Sequence, residues 1–443
     1  MRQTVLNLEE SRIREVANAG IGRDDVLAFW FGESDEVTPD FIRQAAIESL
    51  QRGETFYSHN LGLPELRQAV SGYMSALHGP IGSDRIAITS GGVNALMVAV
   101  QALVDAGDEV VAVTPVWPNL TAQPAILGAK VRTVSLKTDG GAWSLDLPGL
   151  LAAITPSTRV LIVNAPNNPT GWCLSRAEQQ AVLDHCRQTG TWILADEVYE
   201  RLYYAGDTVN DPAPGRPKRD APLRGEAPSA SGGVLCGPGR SERDARPRSE
   251  ARSASAGVVC APSFLDIATP HDRLVVVHSF SKSFLMTGWR LGWLVMPAEM
   301  THQVGKLIEF NTSCASVFTQ RAGITALERA ADVTPRVVSH LKTGRDTLMA
   351  LLAAVPGVQV AAPAGGMYAF FRLDGFDDSL ATAKRLVVEA GLGLAPGEAF
   401  SPEARGWLRW CFASHDPRRL GLGVERLRRW LAEAKAPGTG IGV

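Results

Sequence analysis

The sequence lacks the patterns that announce a metal protein or a disulfide scaffold. Its six cysteines, Cys173, Cys186, Cys236, Cys260, Cys314 and Cys411, form no CxxC pair, and its eight histidines form no HxH or HExxH arrangement. Neither a zinc site nor a disulfide framework is expected, and no metal of any kind. Long apolar runs are missing too: nothing approaches the ~18 residues of a membrane span, and the charged start, MRQTVLNLEESRIREVANAG, has no signal-peptide core. A soluble, cytoplasmic protein with reduced thiols and no membrane partner follows. Charge of one sign is scarce as well, since 44 Lys+Arg against 46 Asp+Glu leave −2. No global field recruits nucleic acid.

What is present is a globular composition, 45% hydrophobic and 20% charged, over 443 residues. From about residue 80 to 205, short β-branched runs alternate with amphipathic stretches. Arg85 to Thr89, Glu109 to Val113, Val160 to Val163 and Trp192 to Ala195 read as strands. Ala95 to Val104 reads as a helix, and another opens at Ser175, where Ser175 and Glu178 make a capping box. This βαβ alternation predicts an α/β fold with a mostly parallel, buried sheet and functional loops beyond the carboxyl ends of its strands. Further on, Arg273 to Val277, Met367 to Leu373 and Trp407 to Phe412 are expected strands. A helical section spans about Thr301 to Leu351, and a last helix spans Val424 to Lys435.

Asp211 to Pro262 breaks the alternation: 30 of these 52 residues are Gly, Pro, Ser or Ala, and only five are Val or Leu. Such a segment cannot build a core. Arg219 to Pro238 recurs as Arg243 to Pro262 with 13 of 20 positions identical. Two copies are too few for a solenoid, so the segment is expected to be a duplicated, disordered surface insertion, with an interaction arm as the alternative.

Four clusters carry candidate chemistry. Thr89 to Asn94 (TSGGVN) joins a strand to a helix, where free N–H groups and paired glycines suit an anion, though a tight turn has the same look. Ser279 to Gly292 (SFSKSFLMTGWRLG) places Lys282 just after an apolar strand with Arg290 eight residues on. A desolvated amine beside an anion clamp can form a Schiff base, whereas a solvated strand-end lysine is the plainer alternative. Asn167 to Gly171 (NNPTG) and Asp196 to Tyr199 (DEVY) each end an expected strand and would converge on one crevice, although a turn and a helix cap also explain them.

Taken together, the clusters identify a family. The chain resembles the class I/II aminotransferases, pyridoxal-phosphate enzymes of fold type I, over nearly its whole length outside the insertion. Ser279 to Gly292 satisfies the family's lysine-attachment pattern at every constrained position. Tyr57 to Arg67 (YSHNLGLPELR), Pro115 to Asn119 (PVWPN), Asn167 to Gly171, Asp196 to Tyr199 and Leu408-Arg409 match in order and spacing. The resemblance implies a large domain with a mostly parallel seven-stranded sheet and a smaller α+β domain. Residues 1–45 would pack with the small domain, 46–210 and 263–320 would form the large one, and 321–443 the small one. Removing the insertion leaves 443 − 52 = 391 residues, which suits such a two-domain protomer.

The resemblance also implies site residues. Lys282 would bind the cofactor as a Schiff base and later shuttle the proton, and Asp196 would pair with the pyridine nitrogen. Asn168 and Tyr199 would hydrogen-bond the ring's phenolic oxygen, with Trp117 stacked on its face. Ser279, Ser281, Arg290, Gly91, Gly92 and Val93 would hold the phosphate, joined by Tyr57 from a neighbouring subunit, which implies a homodimer. Arg409 would bind the substrate α-carboxylate, aided by Asn168 and by the Gly32 backbone in Phe31 to Asp35 (FGESD).

Two departures bear on substrate. One aspartate branch has a lysine where this chain has Val93, and another has an arginine in the region 307–320, where none occurs here. An apolar or broad amino-acid specificity follows, because a second substrate carboxylate would lack a partner. The expected activity is transfer of an amino group between an L-amino acid and a 2-oxo acid by a ping-pong route. A β-eliminating carbon–sulfur lyase would use Lys282 and Asp196 in the same way and is the alternative within the fold. A non-catalytic effector-binding module is the alternative from another class, although the match from near residue 25 leaves no room for an amino-terminal DNA-binding domain.

Overall fold

The computed structural model describes residues 1–139, 142–204 and 259–434. Seven strands form the central sheet: β1 (Ile86–Thr89), β2 (Glu109–Thr114), β3 (Lys130–Ser135), β4 (Thr158–Asn164), β5 (Trp192–Asp196), β6 (Leu274–Ser279) and β7 (Gly292–Val295). Their order is β1-β7-β6-β5-β4-β2-β3, and β7 alone runs against its neighbours. Period-two alternation explains the burial of both faces. Val111, Leu161, Ile193 and Val276 enter one apolar cluster, while Val110, Val160, Leu194 and Val275 enter the other.

The strand ends position the site. The register sets Asn164 opposite Asp196, and Gly292 opposite both Ser279 and Thr89. The carboxyl ends of β1, β4, β5 and β6 therefore open onto one crevice, as expected of an α/β sheet.

A second sheet, of β8 (Val358–Val360), β9 (Tyr368–Leu373), β10 (Ala395–Pro396) and β11 (Trp407–Cys411), is antiparallel in the order β8-β9-β11-β10. Its register pairs Phe370 with Arg409. The amino-terminal helix Arg12–Asn18 joins this part of the molecule through Lys384–Glu15 and Arg12–Glu398 ion pairs, and Leu27 pairs in parallel with Leu392.

Several expected boundaries move. The helix expected from Ala95 begins at Gly92, immediately after a Gly91 at φ 93°. The helical section divides into Thr301–Thr312, Val317–Glu328 and Ala330–Ala353. The last helix starts earlier, at Arg418, and runs to Ala434; Lys435 lies outside the described residues. The capping box is present as read, with Ser175 accepting from the Glu178 N–H.

The insertion boundary needs correction. Ala261 is buried, its N–H donates to Glu200 O at 2.8 Å, and Pro262 O accepts from Gln179. Ala261 and Pro262 are thus tied to the body of the protein through their backbone groups, which their composition hides. The rest of the expected insertion, residues 211–258, lies outside the described residues, as does the first copy of its repeat.

Candidate active site

A cavity of 1530 Å³ lies at the carboxyl ends of the strands. Gly32, Gly92, Val93, Trp117, Asn168, Asp196, Tyr199, Ser279, Ser281, Lys282, Arg290 and Arg409 all line it. Tyr57 does not; it is 88% exposed on its own chain.

One end of the cavity is built for an anion. The helix Gly92–Leu103 starts there with unsatisfied N–H groups, which attract negative charge. Ser279 Oγ lies 2.9 Å from Ser281 Oγ and accepts the Ser281 N–H. Arg290 carries a positive φ of 54°, and its Nη1 donates to Thr287 O. A Cβ on Gly91 would stand 2.4 Å from Arg290 Nη2, and one on Gly92 would stand 3.3 Å from Ser279 Cβ. Both glycines therefore let the Arg290 and Ser279 side chains close in on the helix start.

The floor holds two ionisable groups whose burial alters them. Asp196, at the end of β5, is 2% exposed and, among the described residues, its carboxylate accepts from one backbone N–H, that of Val198 at 3.3 Å. Burial raises its carboxyl to about 7, with the Val198 N–H and Lys282 pulling the other way. Such an under-paired carboxylate fits a cationic ring nitrogen. Lys282 donates to Gly32 O, and burial lowers its amine to about 8, with the Arg409 and Arg290 guanidiniums adding to that shift. An amine so lowered is available as a nucleophile and base near neutral pH.

The other end holds Arg409, in the middle of β11 and 2% exposed. Its Nη1 donates to Asn168 Oδ1 at 2.9 Å and its Nη2 to Trp30 O. Its guanidinium lies 4.4 Å from the Tyr368 ring centroid and 4.9 Å from that of Phe400. No carboxylate of the described residues pairs with it, and its buried Nε has no partner. A buried cation without an acid is costly, so the site calls for an anion. The buried ion pair that would have been the plain explanation of Arg409 is not formed among the described residues.

Sequence reasoning missed some of this site. Tyr368, whose hydroxyl lies 2.8 Å from that of Tyr199, was not singled out, nor were the Trp30 carbonyl, Phe400 or the wall formed by residues 7–14. The wall's Arg12 is paired with Glu398 at 2.8 Å, and Arg405 with Glu398 at 3.5 Å.

The phosphate-sized cradle, the under-paired acid, the lowered lysine and the unpaired arginine together fit pyridoxal phosphate and an amino-acid carboxylate. Comparison with known proteins agrees. The family model "Aminotransferase class I and II" matches residues 25–234 and 241–427. A probable aspartate/prephenate aminotransferase of Aquifex aeolicus is 27% identical over 433 residues, 96% of this chain and 94% of the relative. An arginine–pyruvate transaminase of Pseudomonas aeruginosa is 29% identical, covering 91% and 88%. The crystal structure of an aspartate aminotransferase from Thermotoga maritima superposes with a TM-score of 0.79 at 26% identity, over 98% of this chain and all of that one (100%). The chain belongs to the class I and II aminotransferases and is a pyridoxal-phosphate-dependent aminotransferase.

Proposed function

We propose that transamination is carried by Lys282, Asp196 and Arg409 acting around one cavity, on a broad or apolar range of amino acids. The observation that carries this reading is the buried, acid-free Arg409 facing the same space as the lowered amine of Lys282. Pyridoxal phosphate supplies an aldehyde that condenses with amines and a protonated pyridine ring that accepts the electron pair left when a Cα–H bond breaks. Gly91, Gly92, Val93, Ser279, Ser281 and Arg290 would hold its phosphate, Trp117 would cover its ring, and Asp196 would keep the ring nitrogen protonated. Asn168 and Tyr199 would donate to its phenolic oxygen.

Arg409 would grip the α-carboxylate of the amino acid, with Gly32 beside it, and so orient the Cα–H bond. Lys282 Nζ would take the Cα proton and deliver it to the carbon that carried the cofactor's aldehyde, and would run the same transfer backwards in the second half of the exchange. Both halves of the exchange would use the same residues, one amino acid leaving as a 2-oxo acid before another 2-oxo acid enters.

Specificity would follow from the charges available along the cavity lining. Val93 offers no charge, and Arg12 and Arg405 are already paired with Glu398. Named relatives act on aspartate, prephenate and arginine, which is consistent with a fold that accepts many side chains. The exposed Tyr57 would reach the phosphate of a second copy in a homodimer, with Phe56 exposed beside it. Among the described residues no helix is long and apolar enough to cross a membrane, and the five described cysteines are free, which supports a cytoplasmic place. A panel of single amino acids mixed with the holoenzyme tests the reading: apolar donors should convert the bound cofactor's absorbance, and conversion by aspartate and glutamate alone would refute the specificity.

A further inference from the structure

Tyr368 and Tyr199 are both buried, and their hydroxyls lie 2.8 Å apart with the rings edge to face at 5.8 Å. Each phenol has one proton, so in this pair one hydroxyl donates and the other keeps its proton for a third group. The Tyr368 ring faces the Arg409 guanidinium at 4.4 Å. A cation at a phenol's face favours the phenolate and makes the hydroxyl the stronger acid. Burial pushes both phenols up, Tyr368 to about 12 and Tyr199 well above its ordinary value, and Arg409 opposes that rise in both. With the single Tyr199 proton committed to the cofactor's phenolic oxygen, as proposed above, the proton between the two hydroxyls is that of Tyr368. The Tyr199 hydroxyl has no other hydrogen-bond partner among the described residues, and both tyrosines line the cavity.

Resting on the cofactor reading above, we propose that Tyr368 is a positioning residue: its hydroxyl donates to Tyr199 and so aims and strengthens the Tyr199 proton for the phenolic oxygen of the bound cofactor. Hydrogen bonds in a chain polarise one another, so a donor that itself accepts is a better donor. Gly32 protects the arrangement, because a Cβ there would fall 1.9 Å from the Tyr368 hydroxyl oxygen. The Arg409 cation that would bind substrate thus also reaches the cofactor's oxygen through two phenols, on a line separate from its bond to Asn168.

The test is the pH titration of the visible absorbance of ligand-free holoenzyme, whose midpoint reports the proton affinity of the Lys282 nitrogen bonded to the cofactor. Tyr368→Phe keeps the ring under Arg409 and removes only the hydroxyl. A weaker Tyr199 donor leaves more negative charge on the phenolic oxygen, so the midpoint should rise by about 0.5–1 unit, roughly three- to tenfold in proton affinity. In a Tyr199→Phe background the same substitution should shift nothing, an outcome that a merely structural role would not produce. Gly32→Ala, which displaces the hydroxyl without removing it, should shift the midpoint in the same direction and serves if Tyr368→Phe holds no cofactor. A midpoint unchanged from wild type in these variants, or an equal shift without Tyr199, overturns the proposal. A wild-type protein with no pH-dependent visible band would overturn the Lys282 assignment and the proposal with it.

Discussion

Arg409 Nη1 donates to Asn168 Oδ1 at 2.9 Å, joining positions 241 apart in sequence across the two sheets. Through this bond the arginine proposed to take the substrate carboxylate touches the asparagine proposed to touch the cofactor's oxygen. Arg409→Lys keeps the charge and loses the planar fork. We expect kcat/KM to fall by about 2–5 kcal/mol in transition-state stabilisation, roughly thirtyfold to several thousandfold, while visible cofactor absorbance is retained. Steady-state kinetics with the best donor, beside an absorbance spectrum, check both halves.

Asp196→Asn keeps the shape of the floor and removes the charge that would hold a cationic ring nitrogen. The half-reaction rate should fall by roughly 10²–10³, the scale of losing one preorganised electrostatic stabiliser. Stopped-flow measurement with a single amino acid reads it directly.

Gly91 sits at φ 93° with Arg290 Nη2 where its Cβ would be. Gly91→Ala should weaken cofactor binding by about 1–3 kcal/mol from backbone strain and loss of the cradle, leaving the fold intact. Titration of cofactor-free protein with pyridoxal phosphate, read by absorbance, gives the affinity; circular dichroism confirms the fold.

His78 lies between Glu200 at 3.0 Å and Asp266 at 2.8 Å. Burial alone would lower its pKa, but hydrogen bonds to Asp266 and Glu200 outweigh that and raise it to about 10. The folded value exceeds the ordinary value near 6.5, so the stabilisation is complete below about 6.5 and is lost as pH rises towards 10. His78→Gln should cost roughly 3–5 kcal/mol at pH 6, the scale for breaking a buried charge pair, and progressively less at higher pH. Denaturant unfolding of both proteins from pH 6 to pH 10 gives the difference.

Much of this site was legible because its chemistry sits in short segments. SFSKSFLMTGWRLG, NNPTG and DEVY each fix several site residues within a few positions, and β-branched runs mark the strands that carry them. Tyr368 and the Trp30 carbonyl were illegible for the opposite reason. Their partners, Tyr199 and Arg409, lie 169 and 379 residues away, and an aromatic such as Tyr368 that opens an apolar strand reads as core. The His78–Glu200–Asp266 cluster was hidden similarly: each member is an ordinary polar residue until the fold buries it. The end of the insertion was misplaced because Ala261 and Pro262 are held by backbone hydrogen bonds, which composition does not report.

Transamination through Lys282, as proposed, leaves the nitrogen of an amino acid on the bound cofactor until a 2-oxo acid takes it. Holoenzyme mixed with one amino acid and no 2-oxo acid should release one equivalent of the corresponding 2-oxo acid per site and no ammonia, and Lys282→Ala should release none. Continuous release of ammonia with a 2-oxo acid beyond one equivalent would contradict transamination, and full activity in Lys282→Ala would contradict the site.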